Sequence, residues 1–209
     1  MANNYNSIAK YYDALSRLVY QRAIIDAQVF LAEFIKDDDN ILLVGGGTGW
    51  ILEELSKLHR RNIRVVYVEK SEMMMRRARQ RKAPHVQTTF VLQPVEYYLA
   101  TEQFDVVLTP FVLDNFKREK INILFPKLDA LLKQHGIWLY ADFVHNSGQS
   151  KWWQRMMLKN MYRFFRYTAH IEADELVDMQ PYFAPNYQLV TEQLYYRRFI
   201  RAQAYLKRR

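Results

Sequence analysis

Short, continuously apolar runs that alternate with helical segments constrain the fold of this 209-residue chain more than any other feature. ILLVG (41–45) and IWLYADFV (137–144) have the composition of strands buried on both faces, which is typical of parallel sheets. Segments 51–58 and 71–81 have helical spacing, and the second begins at a capping Ser71. This alternation predicts right-handed crossovers and a doubly wound α/β sheet.

The end of the chain predicts a different connection. Two further apolar segments, 187–196 and 197–206, follow each other without room for a crossover helix. We therefore expect them to form an antiparallel hairpin at one edge of the sheet. Earlier in the chain, the segment 116–136 is predicted to be a helix that bends near Pro126 and ends at Gly136.

A glycine-rich turn follows the first predicted strand. Gly45, Gly47 and Gly49 permit a tight turn and a close approach of backbone to a ligand. The dinucleotide fingerprint requires a further glycine where Trp50 stands, which disfavours a nicotinamide dehydrogenase. Glu69 ends the second strand about twenty residues later, where a carboxylate can accept both hydroxyls of a ribose. The pattern favours a nucleotide site, with an ordinary tight turn and a surface glutamate as the alternatives.

The serial order of these motifs resembles class I S-adenosylmethionine (SAM)-dependent methyltransferases. ILLVGGGTG resembles their first motif, VVYVEKSEMMMRRAR the acidic strand and following helix, and FVLQPVEYY the adenine-contacting segment. FDVVLTPFVLDNF resembles the fourth strand, and LDALLKQHGIWLYADF the helix, glycine and fifth strand. IAKYYDALS resembles the amino-terminal segment of the subgroup that includes quinone-biosynthesis methyltransferases.

This resemblance implies the architecture of the whole chain. It implies an α/β fold with a Rossmann-like doubly wound seven-stranded sheet, an antiparallel last strand and a small helical cap. We expect the range 1–209 to form a single domain, with 1–36 as a helical lid and 146–182 as a helical cap insertion.

The resemblance also implies SAM as the cofactor. Glu69 is expected at the ribose, Met73 and Gln93 at the adenine, and Tyr12 in a lid that folds over the cofactor. The expected cofactor-binding residues are Tyr12, Gly45, Gly46, Gly47, Gly49, Glu69, Lys70, Met73, Gln93, Pro94 and Thr109. Methionines on a helix and tyrosines in a helical lid are equally typical of ordinary core packing.

Position 43 departs from the family pattern. The family usually carries an acidic residue two places before the first glycine, where it helps to bind the methionine part of SAM. Here that residue is Leu43. The sequence therefore favours a SAM-dependent methyltransferase, with a SAM-binding protein without methyltransferase activity as the alternative.

Polar residues follow the fourth and fifth predicted strands, at the edge where open α/β sheets bind ligands. Asp142 and His145 are the candidate catalytic residues, because histidine can exchange a proton near neutral pH. Asp114 is a candidate substrate-binding residue. A solvated histidine and an aspartate that caps a helix are the alternatives. No metal site is expected, since the chain has no cysteine and its histidines lack metal-ligand spacing.

The aromatic segment WWQRMMLKNMYRFFRY is the candidate acceptor pocket within the predicted cap. Trp152, Trp153 and Met156 are expected to bind a small aromatic or lipophilic acceptor. An amphipathic helix packed on the core, a membrane-surface helix and a partner contact remain alternatives.

The charge distribution keeps one weaker alternative open. The net charge is +8, and residues 145–209 hold six of these excess positive charges. A basic region can bind RNA, so an RNA methyltransferase is considered. TPFVL, however, stands where an asparagine/aspartate-Pro-Pro-aromatic motif would follow the fourth strand. We expect a small-molecule acceptor and a cytoplasmic location, since no signal peptide or membrane-length apolar run is present.

Overall fold

The computed structural model describes residues 22–144 and 176–208, which contain one seven-stranded sheet. The strands are β1 (Asn40–Val44), β2 (Ile63–Glu69), β3 (Val86–Leu92), β4 (Phe104–Pro110), β5 (Leu132–Phe143), β6 (Tyr187–Tyr195) and β7 (Ile200–Lys207). Their order is β3-β2-β1-β4-β5-β7-β6. The first five strands pair in parallel, and β7 is antiparallel to both β5 and β6. The predicted Rossmann-like sheet and its terminal hairpin are confirmed.

Helices cover both faces of this sheet. They are α1 (Ala23–Ala32), α2 (Trp50–Lys57), α3 (Glu72–Ala78), α4 (Arg118–Leu131) and α5 (Gln180–Phe183). Side chains of α1, α2 and α3, such as Leu31, Leu55 and Met75, pack in one core. The core on the opposite face takes Leu124 from α4 and Phe183 from α5. The sheet is therefore doubly wound, as the alternation of apolar runs predicts.

The core around α4 and α5 is rich in aromatic rings. Phe125 of α4 stacks on Trp138 of β5 with ring centroids 4.8 Å apart, and Phe183 stacks on Tyr205 of β7 at 4.0 Å. Rings of this size bury large apolar areas and pack with defined geometry. They fix β5 and β7 to the helices, and the carboxyl end of β5 carries one of the candidate catalytic residues.

The boundary between α4 and β5 corrects one prediction. α4 runs through Pro126 and ends at Leu131, and β5 begins at once, so the expectation that Gly136 ends the helix is wrong. The pairing of β4 with β5 shifts register between Phe104 and Val106. A Cβ at Gly136 would lie 3.0 Å from the Asp105 carbonyl oxygen. Glycine is needed here because an irregular strand passes close to its neighbour.

The predicted lid and cap are described only in part. Residues 22–36 of the lid include α1, and residues 176–182 of the cap lead into α5. The remainder of both segments lies outside the described residues. Within the described ranges, no helix is long and apolar enough to cross a bilayer.

Candidate active site

The glycine turn connects β1 to α2 at the carboxyl edge of the sheet. Gly45, Gly47 and Gly49 have φ values of +65°, +61° and +75°, which disfavour any residue with a Cβ. A Cβ on Gly45 would lie 2.6 Å from Val112 Cγ2, so the turn contacts the segment that follows β4. A Cβ on Gly47 would meet no other group of residues 22–144 and 176–208 within 4 Å. Among these residues, the Cβ side of Gly47 is therefore open to a ligand.

Gly49 allows α2 and α3 to pack closely. A Cβ at this position would lie 2.6 Å from the Cα of Ala78 in α3. Trp50 is the first residue of α2 and is half-buried. Close helix packing thus depends on glycine at position 49, which explains how the fold accommodates Trp50 where a dinucleotide-binding turn needs glycine.

The Glu69 carboxylate lies beside the glycine turn, as the predicted nucleotide site requires. Its Oε2 accepts a hydrogen bond from the Gly47 N–H at 3.1 Å, and its Oε1 accepts one from the Ser71 N–H at 2.8 Å. Burial raises the pKa of this carboxyl, while the Ser71 and Gly47 amides lower it. Glu69 therefore joins the glycine turn to the start of α3.

The predicted adenine-binding residues lie in the segments next to Glu69. Ser71 caps α3, since its Oγ accepts a hydrogen bond from the Met74 N–H at 3.3 Å. Met73, two residues after Ser71, is half-buried, whereas Met74 is buried. The Gln93 N–H donates to the Glu69 carbonyl at 3.1 Å. This bond joins the segment after β3 to the end of β2.

The other predicted cofactor contacts differ in their surroundings. Lys70 is exposed and Pro94 is half-buried. Thr109 is fully buried, and its Oγ1 accepts a hydrogen bond from Trp138 Nε1 at 2.9 Å. This bond gives the Thr109 hydroxyl a structural role in the aromatic core, and its contact with a cofactor stays a prediction.

The backbone of Asp114, which follows β4, contacts the carboxylate of Asp142 near the end of β5. The Asp114 N–H donates to Asp142 Oδ2 at 3.1 Å, and the Phe143 N–H donates to Asp142 Oδ1 at 2.9 Å. Asn115 Nδ2 donates to Asp114 Oδ1 at 2.8 Å. Burial raises the pKa of Asp114 to about 7. Burial also raises the pKa of Asp142, and the charge of Asp114 raises it further.

Because the pKa of Asp114 in the folded chain exceeds its ordinary value of 3.8, the folded state binds more protons than the unfolded state between these values. We therefore expect the free energy of unfolding to fall as the pH rises from about 4 to 7. Asp114→Asn should remove about 4 kcal/mol of this fall, because the substituted side chain does not ionise and each pKa unit corresponds to about 1.4 kcal/mol. Urea unfolding across this pH range measures the difference. An Asp114→Asn chain that keeps the full pH dependence would contradict the assignment of the raised pKa to Asp114.

The remaining predicted site residues lie outside the described residues. They are Tyr12, His145, Trp152, Trp153 and Met156. Within the ranges 22–144 and 176–208, no group of three or more histidine, aspartate or glutamate side chains is arranged to hold a metal ion.

Tyr67 is a site residue that our sequence interpretation missed. Its ring is fully buried in β2, and its hydroxyl donates to the Gly47 carbonyl oxygen at 2.8 Å. The alternation of side chains along a strand puts Tyr67 on the same face as Glu69. The position of Tyr67 two residues before Glu69 is therefore the feature of the sequence that could have identified it as a site residue.

Comparison with known protein families assigns the central part of the chain. Residues 41–136 match the family described as methyltransferase domain. This segment is therefore similar in sequence to a methyltransferase domain. It contains the glycine turn, Glu69 and Asp114, and it confirms the predicted resemblance at the level of the domain. The more specific resemblance to quinone-biosynthesis methyltransferases stays a prediction.

The chain is also similar to a curated protein. The chain is 31% identical over 135 residues to a carboxy-S-adenosyl-L-methionine synthase from Nautilia profundicola. The aligned part covers 62% of this chain and 56% of that protein. The chain thus spans little more than half the length of this relative.

Solved structures share the fold. A complex of DhpI with S-adenosylhomocysteine (SAH) has a TM-score of 0.69 at 14% identity, covering 98% of this chain and 93% of that chain. The magnesium protoporphyrin IX methyltransferase of Synechocystis PCC 6803 with bound SAH has a TM-score of 0.64 at 18% identity, covering 91% and 84%. The sheet and its helices therefore have the Rossmann-like fold of these proteins.

Proposed function

We propose that this chain is a SAM-dependent methyltransferase that acts on a small, aromatic or lipophilic acceptor. The observation that carries the proposal is the contact of the buried Glu69 carboxylate with the Gly47 amide, within the segment that matches a methyltransferase domain. A carboxylate oxygen can accept more than one hydrogen bond. Glu69 can therefore hold the glycine turn and also accept ribose hydroxyls.

Several residues would hold SAM at this edge of the sheet. Gly45 and Gly47 would let the methionine part approach the backbone, and Met73 and Gln93 would contact the adenine. Gly46, Gly49, Lys70, Pro94 and Thr109 would complete this surface, and Tyr12 would cover it from the lid. When bound, SAM would supply a methyl group on a positively charged sulfur.

Asp142 and His145 would handle a proton on the acceptor side, and Asp114 would contact the acceptor. A base is needed only when the acceptor loses a proton, as a hydroxyl or amine does on methylation. The acceptor oxygen or nitrogen would bond to the methyl carbon as the carbon–sulfur bond breaks, and its proton would pass to the base. The main demand is alignment of the reacting atoms, and Trp152, Trp153 and Met156 would provide it by holding the acceptor.

Leu43 motivates the second candidate function, a SAM-binding protein without methyltransferase activity. Its side chain is fully buried and packs in the core with α1, α2 and α3. It offers no carboxylate to the methionine part of SAM. The basic residues near the carboxyl end of the chain motivate an RNA methyltransferase less strongly.

Calorimetric titration with SAM and with SAH tests the proposal. We expect both ligands to bind, and NAD, used as a control dinucleotide, to fail because Trp50 replaces the required glycine. Absence of SAM and SAH binding at millimolar concentration would overturn both candidate functions. Binding without transfer of a labelled methyl group to any of a panel of phenols, amines and lipophilic acceptors would favour the inactive alternative. RNA binding at low salt would instead support an RNA acceptor.

A further inference from the structure

The two polar backbone groups of Gly47 are held by two side chains of the same strand. The Gly47 N–H donates to the Glu69 carboxylate, and the Gly47 carbonyl oxygen accepts a hydrogen bond from the Tyr67 hydroxyl at 2.8 Å. We propose that Tyr67 is a positioning residue that, together with Glu69, fixes the Gly47 backbone in the conformation that binds the cofactor. This inference rests on the proposed function, because it assigns Tyr67 to the same site.

The neighbouring glycine is matched to the Tyr67 ring. Gly46 does not have a positive φ, so its backbone conformation does not require glycine. A Cβ at Gly46 would, however, lie 2.5 Å from two carbon atoms of the Tyr67 ring. In proteins, a Cβ atom does not come this close to atoms to which it is not bonded. Gly46 is thus needed because the tyrosine ring lies directly under the turn.

The Tyr67 ring is itself held in place. It is fully buried in the core formed with α1, α2 and α3, and its centroid lies 5.3 Å from that of Phe90 in β3. Burial, and next the charge of Glu69, raise the pKa of the hydroxyl well above its usual value. The hydroxyl therefore remains a neutral donor across the physiological pH range. A buried ring in a fixed position can direct this donor at one carbonyl oxygen.

The contacts of Gly47 show why this arrangement matters for binding. Gly47 has a φ of +61°, and within the described part of the chain a Cβ there would meet no other group within 4 Å. The described residues therefore do not hold Gly47 by packing against its Cβ side. The hydrogen bond from the Tyr67 hydroxyl to its carbonyl oxygen and the bond from its N–H to the Glu69 carboxylate hold Gly47 on the side of β2. Preorganisation of a binding backbone lowers the entropy cost of ligand binding.

Tyr67→Phe tests the inference, because it removes the hydroxyl and keeps the ring. We expect the dissociation constant for SAM, measured by calorimetry, to rise about tenfold. This is the change in affinity that corresponds to the loss of one hydrogen bond that orders the binding backbone. Hydrogen exchange of the Gly47 amide, followed by NMR in the free protein, should become at least several times faster. Both changes follow from a Gly47 backbone that is no longer fixed at its carbonyl group.

Tyr187→Phe is the matched control. Tyr187 is also a buried tyrosine, and its hydroxyl donates to Asp129 Oδ1 at 2.6 Å on the opposite face of the sheet. This variant should lose some stability without changing SAM affinity or Gly47 exchange. Gly46→Ala gives a second test, since it should weaken SAM binding in the unsubstituted chain and have a smaller effect when combined with Tyr67→Leu.

The outcomes separate this inference from the proposed function. Unchanged Gly47 exchange in Tyr67→Phe would overturn the positioning role, whatever the ligand. Faster exchange with an unchanged SAM dissociation constant would overturn the link to cofactor binding. Failure of the unsubstituted chain to bind SAM or SAH would overturn the proposed function, and the assignment of Tyr67 to SAM binding with it. Faster exchange together with weaker SAM binding supports the inference.

Discussion

Gly49→Ala is expected to lower the free energy of unfolding by about 3 kcal/mol or more. A φ of +75° costs a residue with a Cβ about 1–2 kcal/mol. The added Cβ would also lie 2.6 Å from the Cα and 2.7 Å from the Cβ of Ala78. These atoms belong to α3 and cannot rotate away as a flexible side chain would, so the two helices must separate. Urea unfolding followed by circular dichroism measures the loss.

Gly47→Ala is the matched control for this substitution. Gly47 has a similar positive φ of +61°, but a Cβ there would meet no other group of the described residues within 4 Å. Its cost in stability should therefore be limited to backbone strain, about 1–2 kcal/mol. Equal losses for the two variants would show that α2 and α3 move apart without a penalty, contrary to the close packing described for Gly49.

Glu69→Ala is expected to weaken SAM binding at least about 100-fold. The substitution removes the proposed ribose acceptor and also frees the Gly47 and Ser71 amides, which the carboxylate binds at 3.1 and 2.8 Å. Hydrogen bonds to a charged group contribute about 1.5–3 kcal/mol each. Calorimetric titration with SAM and SAH at one pH measures the loss.

Glu72→Ala serves as the control for Glu69→Ala. Glu72 lies in the first turn of α3, is exposed and pairs with Arg76 at 2.7 Å on the surface. An exposed ion pair of this kind contributes little to stability. SAM affinity should remain unchanged in this variant. Unchanged affinity in Glu69→Ala as well would place the cofactor away from the glycine turn.

The sequence predicted the strands best where local and tertiary preferences agree. β2 and β3 occupy 63–69 and 86–92, the segments that their apolar, β-branched composition indicates. β4 is shorter than the apolar run that contains it, because the chain leaves the sheet after Pro110. Residues 132–136 have no strand pattern in the sequence, yet they belong to β5, because Leu132 pairs with Phe104 of β4. Such pairing depends on a partner strand distant in sequence, so local propensity does not show it.

The sequence predicted where the residues of the candidate site lie in the sheet, but not which of them form hydrogen bonds with each other. Topology places Glu69 and the glycine turn at the same edge, and spacing alone identifies both. The direct bond between Glu69 and Gly47 depends on turn conformation and side-chain rotamer, which the sequence pattern does not specify. The same holds for Asp114 and Asp142, whose predicted places at the ends of adjacent strands gave no indication that the backbone of one binds the carboxylate of the other.

The place of β7 has a consequence for how the chain folds during synthesis. β7 lies between β5 and β6, and α1 packs on this terminal hairpin. Until residues 200–207 have left the ribosome, β5 and β6 lack the strand that pairs with both of them, and α1 lacks part of the surface it covers. An unpaired strand edge invites pairing with other chains. Among the described strands, β7 is therefore the one that protects this edge of β5 during folding.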